Sequence, residues 1–113
     1  MTDCLFCKFV SGELTTDVVL DTATTLAFRD INPQAPTHVL VIPKAHHENA
    51  AALAEADPAV MADVIASAGR VAAAEGLDGG YRLIFNTGPD AQQTVFHVHC
   101  HVLGGRQLQW PPG

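Results

Sequence analysis

A chain of 113 residues with 48% hydrophobic content is long enough to bury a core and short for more than one domain. Six Lys and Arg against twelve Asp and Glu leave a formal net charge of −6 and no basic cluster, which excludes a DNA or RNA polymer as partner but leaves a mononucleotide open. No run reaches the roughly 18 apolar residues of a membrane span, the first residues lack a signal-peptide pattern, and the three cysteines suit a reducing compartment, so a cytoplasmic protein without membrane contact is expected.

Residues 5–10 form a short apolar run, and Gly12 stands where a short helix would stop. Residues 18–20 and 26–28 predict two strands of a hairpin. Asn32-Pro33 and Ala35-Pro36 mark a loop, because proline restricts both itself and its predecessor. Residues 37–42 predict a β-branched strand ended by Pro43. Asp57 followed by Pro58 is a helix start, apolar residues recur at helical spacing through Glu75, and Gly76 ends the helix. Its stripe of Val60, Val64 and Val71 reads as core, and Gly69 inside it points to close packing. Residues 81–86 and 95–103 predict the last two strands, joined by a polar loop. About five antiparallel strands with one long and one or two short helices make an α+β domain spanning 1–113, the long helix covering one sheet face.

The final strand pattern carries His97, His99 and His101 on alternate residues. Alternation places them on one face about 6.8 Å apart, with Val98, Cys100 and Val102 turned to the core. Imidazoles in a row are poor packing and good chemistry, able to act as nucleophile, proton carrier or metal ligand near neutral pH. Cys100, on the opposite face, reads as core filler. Cys4-Leu5-Phe6-Cys7 is a Cys-x₂-Cys pair, half of a tetrahedral zinc site; a redox pair or two buried thiols are the alternatives.

The run His97-Val98-His99-Cys100-His101-Val102-Leu103 resembles the signature of the histidine-triad (HIT) superfamily of nucleotide hydrolases and transferases. The tail Gly104-Gly105-Arg106-Gln107-Leu108-Gln109-Trp110-Pro111-Pro112-Gly113 resembles its Hint branch, the purine nucleoside phosphoramidases, as do Asp30-Ile31-Asn32-Pro33-Gln34-Ala35-Pro36-Thr37-His38 and Val41-Ile42-Pro43-Lys44. The resemblance covers nearly the whole chain from Cys4 onward. It implies a HIT-like fold paired as a symmetric homodimer with a continuous sheet, the long helix and the next strand making much of the contact.

It also implies a mechanism. His99 attacks the α-phosphorus of a nucleoside phosphoramidate to give a nucleotidyl-histidine, His101 bonds a phosphate oxygen or the leaving atom, and His38 orients the nucleophile. No catalytic metal is required. Asp30 takes the ribose hydroxyls with Ile31 beside the sugar; Phe6, Phe9, Leu14 and Phe28 wall the base; Asn86, Gln92, Gln93 and Thr94 hold the α-phosphate; Trp110 reaches toward the partner subunit's site. Gln92 stands where many relatives carry glycine. Many bacterial members complete a structural zinc site with two histidines, here His46 and His97, although His47 competes with His46. The implied substrates are purine nucleoside monophosphate conjugates, adenine or guanine undecided. Other branches cleave dinucleoside polyphosphates or transfer nucleotidyl groups, and a nucleotide-binding scaffold with incidental turnover is a third reading.

Overall fold

Five strands, antiparallel throughout, form one sheet in this computed structural model, which describes residues 3–113. In chain order they are β1 (Val18–Asp21), β2 (Thr25–Arg29), β3 (Thr37–Pro43), β4 (Tyr81–Phe85) and β5 (Cys100–Gly104); across the sheet the order is β1-β2-β3-β5-β4. The last strand therefore enters between β3 and β4, which brings the histidine segment to the middle of the sheet.

β3 is buried along its whole length because both sheet faces are covered. Val39 and Val41 point into one apolar cluster, Leu40 and Ile42 into the other. Such two-sided burial calls for a continuous apolar run, which is what residues 39–42 provide.

The first cluster lies under helix α3 (Pro58–Ala74), preceded in the chain by the short helix α2 (Ala50–Ala56). The Asp57 carboxylate accepts from the Val60 N–H, Pro58 occupies the first turn where its missing donor costs nothing, and Gly76 leaves the helix at φ 72°. Val64, Ala68, Val71 and Ala72 pack on Val98, Cys100 and Val102, and Val60 rests against the same cluster, so the valine stripe is core. Each fully buried valine contributes on the order of 1.5–3 kcal/mol. The other cluster is closed by helix α1 (Leu5–Ser11), whose Phe6 packs on Leu26, Phe28, Leu40 and Ile42. Gly12 ends this helix at φ 83°, a conformation that favours glycine.

Two expectations need correction. The strand expected over 95–103 begins only at Cys100. Its neighbours explain this: β4 ends at Phe85 opposite Cys100, the β3 pairing ends at Val41 opposite the same residue, and Nδ1 of His99 takes its own chain's carbonyl two residues back. The close packing expected at Gly69 is also absent, since a Cβ there would meet only the Tyr81 hydroxyl at 3.9 Å. No helix among the described residues is long and apolar enough to cross a membrane.

Candidate active site and metal cluster

On the α1 side of the sheet a cavity of about 330 Å³ opens between α1, the end of β2, β3 and the loop after β4. Register builds its floor: Phe28, Leu40 and His101 stand opposite one another across β2, β3 and β5. Phe6 and Phe9 meet Phe28 edge to face at centroid distances of 5.3 and 5.1 Å, giving an apolar wall. Asp30, Asn86, Gln92, Thr94, His99 and His101 supply the polar side.

His99 is 8% exposed and its ring meets the edge of Phe6 at 5.1 Å. Its Nδ1–H donates to the carbonyl of His97 at 2.9 Å, because a carbonyl can only accept. The neutral ring therefore carries its lone pair on Nε2. Burial holds the pKa of His99 below the usual imidazole value, against the opposing pull of the His97 carbonyl and Asp30.

A directional chain of hydrogen bonds fixes the next two rings. The Gln34 N–H donates to Nδ1 of His38 at 3.0 Å, which puts the proton of a neutral His38 on Nε2. That Nε2–H donates to Nδ1 of His101 at 2.9 Å, with the Asp30 Oδ2 a further 3.5 Å neighbour. His101 must then hold its own proton on Nε2, and this buried atom has no partner among the described residues. Burial, with smaller contributions from His99 and His38, pushes His101 down to about 4, and burial lowers His38 against the pull of Asp30. Near pH 7 the site thus holds three neutral imidazoles, one offering a lone pair and one an unpaired N–H.

Asp30 serves two ends. Its Oδ1 accepts from the Asn32 N–H at 2.8 Å, an Asx turn, while its backbone N–H bonds the His38 carbonyl at 3.0 Å beside β3. The turn role and a place on the cavity wall coexist. Ile31 lines the rim and is 98% exposed.

Other expected residues lie elsewhere. Gln93 turns away from the cavity: its amide donates to the Glu48 and Val95 carbonyls and its oxygen accepts from the Gly88 N–H, bracing the loop. Gln92 lines the cavity in a left-handed conformation, φ 66° and ψ 33°, the backbone that glycine adopts without cost. Leu14 is exposed and does not line the cavity, and Trp110 is 79% exposed and stands away from it. Leu40 and Val95 line it without having been singled out. For Leu40 the signal was available, since it shares with His38 one face of an alternating strand.

Behind this site the side chains of Cys4, Cys7, His46 and His97 converge. Cys4 Sγ is 3.4 Å and Cys7 Sγ 3.5 Å from Nδ1 of His97, Cys7 Sγ is 3.4 Å from Nδ1 of His46, and the two Nδ1 atoms are 3.2 Å apart. Bonds of about 2.0–2.3 Å to a tetrahedral ion imply ligand separations of roughly 3.3–3.8 Å, so the donor set fits zinc. His97 is preset for it: its Nε2–H donates to the Pro43 carbonyl at 2.8 Å, leaving Nδ1 free of a proton. Burial also holds the Cys7 thiol above its usual pKa, a cost that a bound cation would offset. The competing His47 is outside the group; its carbonyl accepts from the Val98 N–H at 2.8 Å. Cys100 is fully buried on the far face, its thiol pushed up to about 12, and takes no part.

Comparison with known proteins is consistent with this layout. The HIT domain family matches residues 11–108. The chain is 46% identical to a 14 kDa zinc-binding protein of Zea mays, covering 96% of this chain and 87% of the relative. Among solved structures it superposes on a HIT family hydrolase from Legionella pneumophila with TM-score 0.93 at 49% identity, over 97% of this chain and 99% of that one. It matches a histidine triad nucleotide-binding protein from Candida albicans with TM-score 0.81 at 31% identity, over 96% and 82% of the two chains.

Proposed function

The chain belongs to the HIT domain family, and from that premise we propose that it is a hydrolase of purine nucleoside 5′-phosphoramidates working through a nucleotidyl-histidine on His99. The observation that carries this reading is the pairing of a lone pair on His99 Nε2 with a buried N–H on His101 that has no partner among the described residues. A nucleophile and a hydrogen-bond donor side by side are what displacement at phosphorus needs.

In the first step the His99 Nε2 lone pair bonds the α-phosphorus and the bond to the amine breaks. The amine nitrogen leaves with a proton drawn from solvent, while the Nε2–H of His101 donates a hydrogen bond to a phosphoryl oxygen as charge develops on it. In the second, water attacks phosphorus, the P–N bond to His99 breaks with its electron pair returning to Nε2, and the surplus proton of the water goes to solvent, restoring the neutral His99 ring. Lowered imidazole pKa values keep His99 unprotonated and nucleophilic at neutral pH. In this reading Asp30 holds the ribose, the Phe6–Phe28 wall meets the purine, and Asn86, Thr94 and the Gln92 main chain face the α-phosphate.

The same reading includes structural zinc at Cys4, Cys7, His46 and His97, supported by the tetrahedral donor set and by the zinc-binding relative. It also includes a homodimer. Among the described residues β4 is an edge strand with its outer side unpaired, which suits a sheet continued across two subunits, and the exposed Trp110 is then available to the partner's site. A cytoplasmic location agrees with three free cysteines.

The test is a rate comparison between an AMP phosphoramidate and a diadenosine polyphosphate. Faster turnover of the phosphoramidate is expected. Faster cleavage of the polyphosphate would assign the chain to another branch of the family.

A further inference from the structure

The tail that follows β5 is stitched back onto the loop that precedes β3. Arg106 donates twice to the Gln34 carbonyl, from Nη2 at 3.0 Å and from Nε at 3.3 Å, and braces itself with an Nη1 bond to the Gln107 carbonyl at 3.1 Å. Beside it Gly105 sits at φ 91° so close to Pro36 that a Cβ would come within 2.9 Å of the proline ring. The tail thus meets the loop at two points, one on each side of Ala35.

Gln34 is the residue whose N–H sets the proton of His38. Clamping its carbonyl restricts the rotation of that residue, and with it the direction of the N–H. We propose that Arg106 is a positioning residue that fixes the tautomer of His38, and through it that of His101, by holding the main chain of Gln34. The Gln34 N–H is the short contact that sets the polarity of the chain; the Asp30 Oδ2, 3.5 Å from Nε2 of His38, favours the same tautomer more weakly. If the Gln34 N–H swings away, His38 is free to carry its proton on Nδ1, and Nε2 then accepts from Nδ1–H of His101. His101 would turn a lone pair, not a proton, toward a bound phosphate. The consequence for catalysis rests on the function proposed above; the tautomer itself does not.

The experiment is ¹⁵N NMR of the histidine side chains in the full chain, with steady-state kinetics on an AMP phosphoramidate. In the unaltered protein at neutral pH, His38 and His101 are expected as single tautomers protonated on Nε2. Arg106→Ala is expected to mix the His38 tautomers and lower kcat on the order of tenfold with little change in KM, part of the roughly 10²–10³-fold that one preorganised donor to a developing oxyanion supplies. Arg106→Lys, which retains one donor for the Gln34 carbonyl, should restore most of both. Gln34→Pro deletes the N–H without touching the tail and should reproduce the tautomer change, which keeps the inference testable if Arg106→Ala folds poorly. An unmixed Nε2–H signature in Arg106→Ala overturns the inference whatever the rates do. Mixed tautomers with unchanged turnover uphold it and contradict instead the role given to His101.

Discussion

The carbonyl of His97 accepts the Nδ1–H of His99 at 2.9 Å, while the ring of the same His97 lies 3.4 Å from the Cys4 thiol and 3.5 Å from that of Cys7. One residue thereby closes the metal cluster with its side chain and fixes the tautomer of His99, the proposed nucleophile, with its main chain. Stability and reactivity meet at that point.

Metal removal should therefore cost both. Protein purified without a polyhistidine tag is expected to contain about one zinc per chain by elemental analysis, and chelation should lower Tm and turnover together. Cys4→Ser with Cys7→Ser should do the same without a chelator. Metal-free protein with an unchanged melting curve would remove the structural role.

The pH dependence follows from the lowered pKa values of His38 and His101. Because the folded pKa lies below the unfolded one, the unfolded chain binds more protons between the two, so stability is lost as pH falls from about 6.5 toward about 4. Above about 6.5 all three rings are neutral, so kcat/KM should stay level from pH 8 to that point and decline only below it. Denaturant melts and initial rates across that range check both. An acid limb centred above 7 would contradict the desolvated rings seen here.

Asp30 faces the cavity beside Ile31, where a ribose is proposed to sit. A 2′-deoxyribose substrate should lose one hydrogen bond, worth roughly 0.5–3 kcal/mol in kcat/KM. Asp30→Asn should narrow the difference between the two sugars. Equal turnover of both by the unaltered protein would take Asp30 out of sugar recognition.

Gln92 pays a conformational cost at φ 66°. Gln92→Gly should relieve strain of roughly 1–2 kcal/mol and lose part of that gain to a freer unfolded chain, for a net stabilisation of about 0.5–1 kcal/mol. Thermal melts measure it, and a lower Tm would mean that the side chain makes a compensating contact.

Much of this was legible in the residues because local chemistry announces itself. Asp57-Pro58, the alternating histidines and the Cys-x₂-Cys pair each need few neighbours to be understood, and the α+β sheet with α3 on one face is the arrangement found. What stayed hidden depends on distant partners. Alternation from Val95 to Leu103 cannot say where β3 and β4 stop pairing, so it could not place the start of β5 at Cys100. The choice between His46 and His47 is made by the path of the chain, not by residue type. The Gln34 N–H is invisible for a deeper reason: every residue but proline carries one, and only the fold aims this one at His38.

The central claim, that His99 attacks phosphorus, is tested most directly by trapping. An AMP phosphoramidate mixed rapidly with the protein and quenched in base, where a phosphorus–imidazole bond survives, is expected to leave one AMP group on the intact chain, mapped to His99. His99→Ala should carry none and retain less than about a tenth of the rate, a barrier increase above 1.4 kcal/mol. An AMP adduct on another residue, or full turnover by His99→Ala, would contradict the account.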